Sequence, residues 1–298
     1  MSGMHLQRNA KGFTLVELMV TVLVSSFVGG AFFAAFNAQR QSYLGQDAVS
    51  GMQTNIRAAM EMLVRDTRLA GYDWNGAITP RPTLFPDAAV VAPGSPSLLH
   101  MTMDLNANGI VAGADEDEDI AYGFALADDA DDDGIADAGA ASLGRRDGSV
   151  GVAYEPMADN FQAVAFAYAY DANGDGDLDF NDLNGDGVRD PGETTIWAAD
   201  LNGDVLWENL DTNGDGVINA ADKDVATDFI LGTATGTTVD PSKIRAVRIW
   251  LLARAAQADP SYTDARTYVV GNKVITTNDN FRRRLLETTV ACKNMGLQ

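Results

Sequence analysis

The chain has 298 residues, a formal net charge of −21, one cysteine and two histidines. That length can bury a full core without covalent staples. One cysteine excludes a disulfide scaffold and a cysteine-rich zinc module, and the acidity argues against a nucleic-acid-binding face. The charge is unevenly placed. Residues 101–240 hold 32 of the 42 acidic side chains but only four basic ones (Arg145, Arg146, Arg189 and Lys223), a net −28, and the rest of the chain is +7.

Residues 1–12 are polar and basic. Phe13–Phe36 then carries a single charge, Glu17. At about 1.5 Å per residue this stretch spans a ~30 Å hydrocarbon layer. It is longer than the apolar region of a cleaved secretory signal, and the polar leader precedes it. A carboxylate at membrane depth costs about 2.5–3.5 kcal/mol, so Glu17 needs a partner or a place near the membrane edge. If the chain is cut after Gly12, the new α-amine of Phe13 in a neighbouring copy is a candidate partner.

Lys11-Gly-Phe-Thr-Leu-Val-Glu-Leu-Met-Val20 resembles the processing signal of type IV prepilins and type II secretion pseudopilins. The resemblance implies cleavage between Gly12 and Phe13 by a prepilin peptidase, methylation of Phe13, and an assembly role for Glu17. Leader 1–12, membrane and filament-core helix 13–36 and amphipathic helix 37–71 follow from it.

Beyond Phe36, Val49, Met52, Ile56, Ala59 and Leu63 recur at helical spacing. Glu61 and Arg65 form a favourable pair one turn apart. Gly71 stands where a helix C-cap is expected. Gly29-Gly30 is a point of bending or of close helix packing. Prolines 80, 82, 86, 93 and 96 mark residues 76–96 as irregular. Strand-like runs follow at Leu98–Leu105, Ile120–Leu126, Phe161–Tyr170, Ile244–Arg254, Thr267–Val270 and Phe281–Cys292. In the third, Phe161, Ala163, Ala165, Ala167 and Ala169 alternate with Val164, Phe166, Tyr168 and Tyr170. A helix followed by short strands predicts an α+β fold, one long helix packed on an antiparallel sheet in a head covering residues 72–298.

Arg65-Asp-Thr-Arg-Leu-Ala-Gly-Tyr72, Ile244–Arg254 and Phe281-Arg-Arg-Arg-Leu-Leu-Glu-Thr-Thr-Val290 resemble segments of the PilW group of minor pilins. That resemblance implies a role in a priming or tip complex of a type IV pilus, with other pilins as partners. It implies an inner-membrane stage before display on an extracellular filament. A type II secretion minor pseudopilin and a pilus-displayed, calcium-dependent adhesin are the alternatives. The Arg282–Arg284 run suits either a charged strand edge or a binding role.

The acidic residues are regularly spaced. Asp182, Asn184, Asp186, Gly187, Val188, Asp190 and Glu193 fit the twelve-residue D-x-[DN]-x-[DN]-G-x5-E calcium loop, with the Val188 carbonyl as a ligand. Asp171, Asn173, Asp175, Asp177, Asp179 and Asp182 form a second loop. Asp211, Asn213, Asp215, Val217, Asn219 and Asp222 form a third, spelled like a dockerin repeat. Asp104, Asn106, Asn108 and Asp115 give a less charged match. Asp200, Asn202 and Asp204 lack the sixth-position glycine, and Asp129, Asp131, Asp133 and Asp137 lack a twelfth-position acid. Asp182 and Asp211 are expected to end one loop and begin the next, as in chained thrombospondin-type repeats. The expected cofactor is Ca²⁺, in an insertion at about 171–224 and acidic loops at about 104–140. Zinc and copper want nitrogen or sulfur donors, and Mg²⁺ prefers near-octahedral hydrated sites. No H-E-x-x-H, G-x-S-x-G or phosphate-loop motif is present, so an enzyme is not expected.

Overall fold

A computed structural model describes residues 12–296 except 75, 77, 79–80, 86–92, 112–116 and 148–152. Most of the leader and Asp115 therefore lie outside the described residues. The chain divides into two compact units, Met1–Ala48 and Val49–Gln298.

Helix α1 runs from Leu15 to Leu69. Its start is a capping box, Thr14-x-x-Glu17. Glu17 N donates to Thr14 Oγ1, while Thr14 N and Oγ1 both donate to Glu17 Oε2, each at 3.2 Å. The helix is continuous through Gly29-Gly30, with no break at the pair. In the first unit its apolar side chains are exposed, Phe13 at 81% and Phe32 at 74%. An 18-residue window reaches a mean hydropathy of 2.1, long and apolar enough to cross a membrane.

In the second unit the helix buries Met52, Ile56, Ala59 and Leu63 of the apolar stripe read from the sequence, together with Met60, while Val49 is half-buried. Their partners lie on a nine-stranded sheet. Its strands are β1 (Leu99–Thr102), β2 (Asp119–Gly123), β3 (Ala141–Asp147), β4 (Glu155–Tyr170), β5 (Ala198–Ala199), β6 (Leu206–Asn209), β7 (Thr233–Thr238), β8 (Ile244–Arg254) and, after a separate hairpin, β11 (Arg283–Ala291). The hairpin is β9 (Thr267–Val270) with β10 (Lys273–Thr276). All pairings are antiparallel.

The central strand is β4. One edge pairs with β8 over Phe161–Tyr170. The other pairs with β3 near its start and with β5 at Tyr168. Strand β11 pairs with the far side of β8. This topology leaves both faces of β4 buried. Val164, Phe166, Tyr168 and Tyr170 join Val247, Ile249 and Leu251 in the core that holds the helix. Ala163, Ala165 and Ala167 join Trp250, Leu252 and the β9–β10 hairpin on the opposite face. Alanine is needed there because the hairpin comes close: a Cβ on Gly271 would lie 2.5 Å from Ala165 Cβ.

Phe161 departs from the expected alternation. A register shift between Phe161 and Ala163 moves it into the helix-side core, away from the alanines. The expected strands 244–254 and 267–270 match β8 and β9. Strands β3, β5, β6, β7 and β10 were not among the expected ones.

Candidate functional site

Helix α1 ends where the motif Arg65–Tyr72 places it, and Asp66 and Gly71 in it each have a physical task. Asp66 is buried and accepts the Tyr122 hydroxyl at 2.5 Å and the Arg65 Nε at 2.8 Å. Burial and the Asp66 carboxylate push the Tyr122 hydroxyl above its ordinary range. Gly71 adopts φ +79°, and a Cβ there would strike Met295 Cγ at 2.6 Å. Asn294 Nδ2 donates to the carbonyls of Arg68 and Leu69 at 3.1 and 3.4 Å. The end of the chain thus caps the end of the helix.

The three arginines opening β11 are neither a plain charged edge nor one binding patch. Arg283 is buried and donates to Asp264 at 3.2 Å and to Asp279 and Phe281 O, with Nε on Gln162. Arg282 pairs with Asp259 at 2.8 Å and stacks on Tyr262. Only Arg284 is exposed.

The acidic turns share one construction. The first carboxylate of each takes backbone N–H groups: Asp171 from Gly174, Asp175 and Gly176; Asp182 from Gly185 and Gly187; Asp200 from Gly203 and Val205; Asp211 from Gly214, Asp215 and Gly216, all at 2.6–3.2 Å. Asn173, Asn184, Asn202 and Asn213 each accept the N–H two residues on, as do Asp175, Asp186, Asp204 and Asp215. These bonds hold Asp182 and Asp175 below the usual carboxylate range, chiefly through the N–H groups of Gly187 and Asp177. The sixth residue is left-handed in every case: Gly176, Gly187, Val205 and Gly216 at φ +95°, +71°, +64° and +84°. Glycine meets that requirement freely, whereas Val205 is a strained β-branched residue.

Two of the closing acids, Glu193 and Asp222, are the expected ones, and two differ. In the 182 loop Glu193 accepts the N–H of Leu183 and Asp190, both at 2.8 Å. Asp222 closes the 211 loop on Thr212 and Asn219 in the same way, at 2.8 and 2.9 Å. The 171 loop is closed by Asp179, which accepts Ala172 N at 3.2 Å. The 200 loop is closed by Glu208, which accepts Leu201 N at 2.9 Å. The N–H groups that the Asp182 and Asp211 carboxylates accept lie in the loops these residues begin. Glu208 was missed because it stands at the ninth position, not the twelfth, and its burial in β6 is visible only in the structure. Val217 O accepts the Asn219 amide at 3.0 Å, and Asn184 Nδ2 bonds Asp190 at 2.9 Å.

Two further acidic turns precede these in the chain. Asp129 accepts Asp133 N and Gly134 N, and one oxygen of each of Asp129, Asp131 and Asp133 lies within 4.8 Å of the others. Asp137 closes this turn on Ala130 N at 3.0 Å. Burial lifts Asp129 to about 6. Buried Lys273 lies against the turn, and a Cβ on Gly134 would come within 3.1 Å of its Nζ. In the 104 turn, Asn106 and Asn108 accept the N–H groups two residues on, both at 2.8 Å. Glu118 accepts Leu105 N and Asn106 N, both at 2.8 Å.

The donors of all these turns are oxygens. Among the described residues, Asp171 alone of the loop-opening and loop-closing acids forms an ion pair, with Arg245 at 3.7 Å, and buried Lys273 acts electrostatically on Asp129. Acids gathered with so few cations are a donor set that suits a hard divalent ion.

Comparisons with known proteins bear on both ends of the chain. Residues 7–33 match the model of the prokaryotic N-terminal methylation motif, and residues 214–294 match that of type IV pilus-assembly protein W. The latter spans β7 to the Asn294 cap; the 65–72 segment lies outside both matches. No curated protein matches the chain. Among solved structures, a type IV-like pilin from Thermus thermophilus aligns with 15% identity and a TM-score of 0.34, covering 84% of this chain and 96% of the other.

Proposed function

We propose that this chain is a minor pilin that acts in the assembly of type IV pili. The observation that carries the reading is the pairing of two matches in one chain: an N-terminal methylation motif leading directly into an exposed apolar helix, and a pilus-assembly domain over the last strands. In this reading a prepilin peptidase cuts after Gly12 and methylates Phe13. The helix rests in the inner membrane before assembly and then packs among the helices of other pilins in an extracellular filament. The role is structural, with no catalytic chemistry.

Calcium belongs to the same proposal. The loops opening at Asp171, Asp182, Asp200 and Asp211 would each hold a Ca²⁺ ion, with Asp179, Glu193, Glu208 and Asp222 as closing ligands. The ions would balance charge in an insertion too acidic to compact alone. The experiment is deletion of the gene with three readouts. Loss of surface pili supports this role. Normal pili with lost attachment indicate the adhesin, and normal pili with blocked protein export indicate the pseudopilin.

A further inference from the structure

The strongest unexplained feature of the head is a pair of buried carboxylates beside the end of helix α1. Asp104 and Glu118 are each 1% exposed. Asp104 Oδ2 accepts Gly109 N at 3.3 Å, and Glu118 Oε1 accepts the N–H groups of Leu105 and Asn106, the two residues that follow Asp104. Their other oxygens, Asp104 Oδ1 and Glu118 Oε2, are buried with no hydrogen-bond partner. Among the described residues neither carboxylate has a basic partner. The 129 turn has buried Lys273 against it; the 104 turn has no such cation. Two buried acids on one turn, each with a spare oxygen, are unfavourable unless a positive charge joins them.

We infer that Asp104 and Glu118 bind a calcium ion that fastens the end of helix α1 to the sheet. The position supports a fastening role. Asp104 N donates to Tyr72 O, Gly71 N donates to Thr102 O, and Met103 N donates to Glu118 O, at 2.8–2.9 Å. An ion here would lock the residues through which the helix C-terminus meets β1 and β2. Oxygen-only donors and buried acids select a hard cation. The sequence motif put Asp115, which lies outside the described residues, in the closing position; among the described residues, the Glu118 carboxylate reaches the turn. The inference deepens the calcium reading of the distal loops but stands on different residues.

The test is a Ca²⁺ titration of the full chain in detergent, with thermal melts in Ca²⁺ and in EGTA. Glu118→Gln is compared with Glu193→Gln, which removes a distal loop's ligand. Glu118→Gln is expected to remove one ion from the stoichiometry, or weaken one site at least tenfold. It should also melt at or above wild type in EGTA and below it in Ca²⁺. A purely structural role for Glu118 would instead lower the melting temperature equally in both. Unchanged stoichiometry and affinity in Glu118→Gln overturn the inference. The same result in Glu193→Gln alone overturns only the distal reading. If Glu118→Gln fails to fold, hydrogen exchange of wild type decides. Ca²⁺ should slow exchange at Leu105, Asn106 and Gly109, and no change there would overturn the site.

Discussion

Asn294 closes a helix that ends 225 residues earlier, donating its side-chain amide to the carbonyls of Arg68 and Leu69. Residues just beyond the 281–290 segment thus reach the end of the 65–72 segment. Removing the amide in Asn294→Ala takes a donor from both terminal carbonyls, of which Leu69 O keeps the Tyr72 N–H. The expected loss is about 1 kcal/mol, read as a fall in melting temperature of about 2–4 °C. Gly71→Ala should cost more, about 1–3 kcal/mol, because it forces φ +79° on alanine and pushes Met295 aside.

Arg283 and Arg284 are adjacent yet face opposite environments. Arg283→Ala breaks a buried network with Asp264, Asp279 and Gln162 and should cost about 3–5 kcal/mol in denaturant melts. Arg284→Ala should stay within about 0.5 kcal/mol of wild type. Equal effects would return the arginine run to a surface role.

Val205 holds a left-handed backbone that its β-branched side chain disfavours. Val205→Gly should relieve that strain and raise stability, by up to about 1–3 kcal/mol before the added entropy of the unfolded chain is subtracted. A lower melting temperature in this variant would mean that Val205 packs in a way that outweighs its strain.

The Asp259–Arg282 pair gives the head one defined pH dependence. Hydrogen bonds from Ser261 and Arg282 hold Asp259 at about 2, below the ordinary carboxylate value. A depressed native value stabilises the fold above the unfolded value near 4, and that contribution is lost as pH falls through about 2. Asp259→Asn should therefore be less stable than wild type at pH 7, with the difference closing toward pH 2. A difference that stayed constant across the range would contradict the assignment.

The sequence was most legible where one periodicity ran unopposed. The helix from Leu15 to Leu69, its buried stripe and its glycine stop were readable because the 3.6-residue repeat and the C-cap residue agree. Strands β8 and β9 were readable for similar reasons. Strands β3 and β7 were not: Ala-Ser-Leu-Gly-Arg-Arg and Thr-Ala-Thr-Gly-Thr-Thr lack a strong apolar alternation, and pairing with neighbours decides their conformation. The loop openings were legible because Asp, Asn and Gly positions follow from backbone geometry. The closings Glu193 and Asp222 were legible at the twelfth position, whereas Asp179 and Glu208 stand at the ninth and Glu118 further along the chain, off that spacing.

Thr14 and Glu17 separate two roles for one carboxylate. Thr14→Ala removes the local capping partner but leaves the charge, whereas Glu17→Val removes both. If Glu17 pairs with a neighbouring subunit's Phe13 amine, Glu17→Val abolishes piliation while Thr14→Ala retains it. Equal loss in both would assign Glu17 to the capping box alone.

The central claim is that this chain is processed as a prepilin and enters a pilus. Mass spectrometry of sheared, purified pili tests it directly. The account predicts peptides of this chain in the filament fraction, with an N-terminal peptide beginning at N-methylated Phe13. Absence of the chain from pili, or an intact Gly12–Phe13 bond in the filament-associated protein, would contradict it.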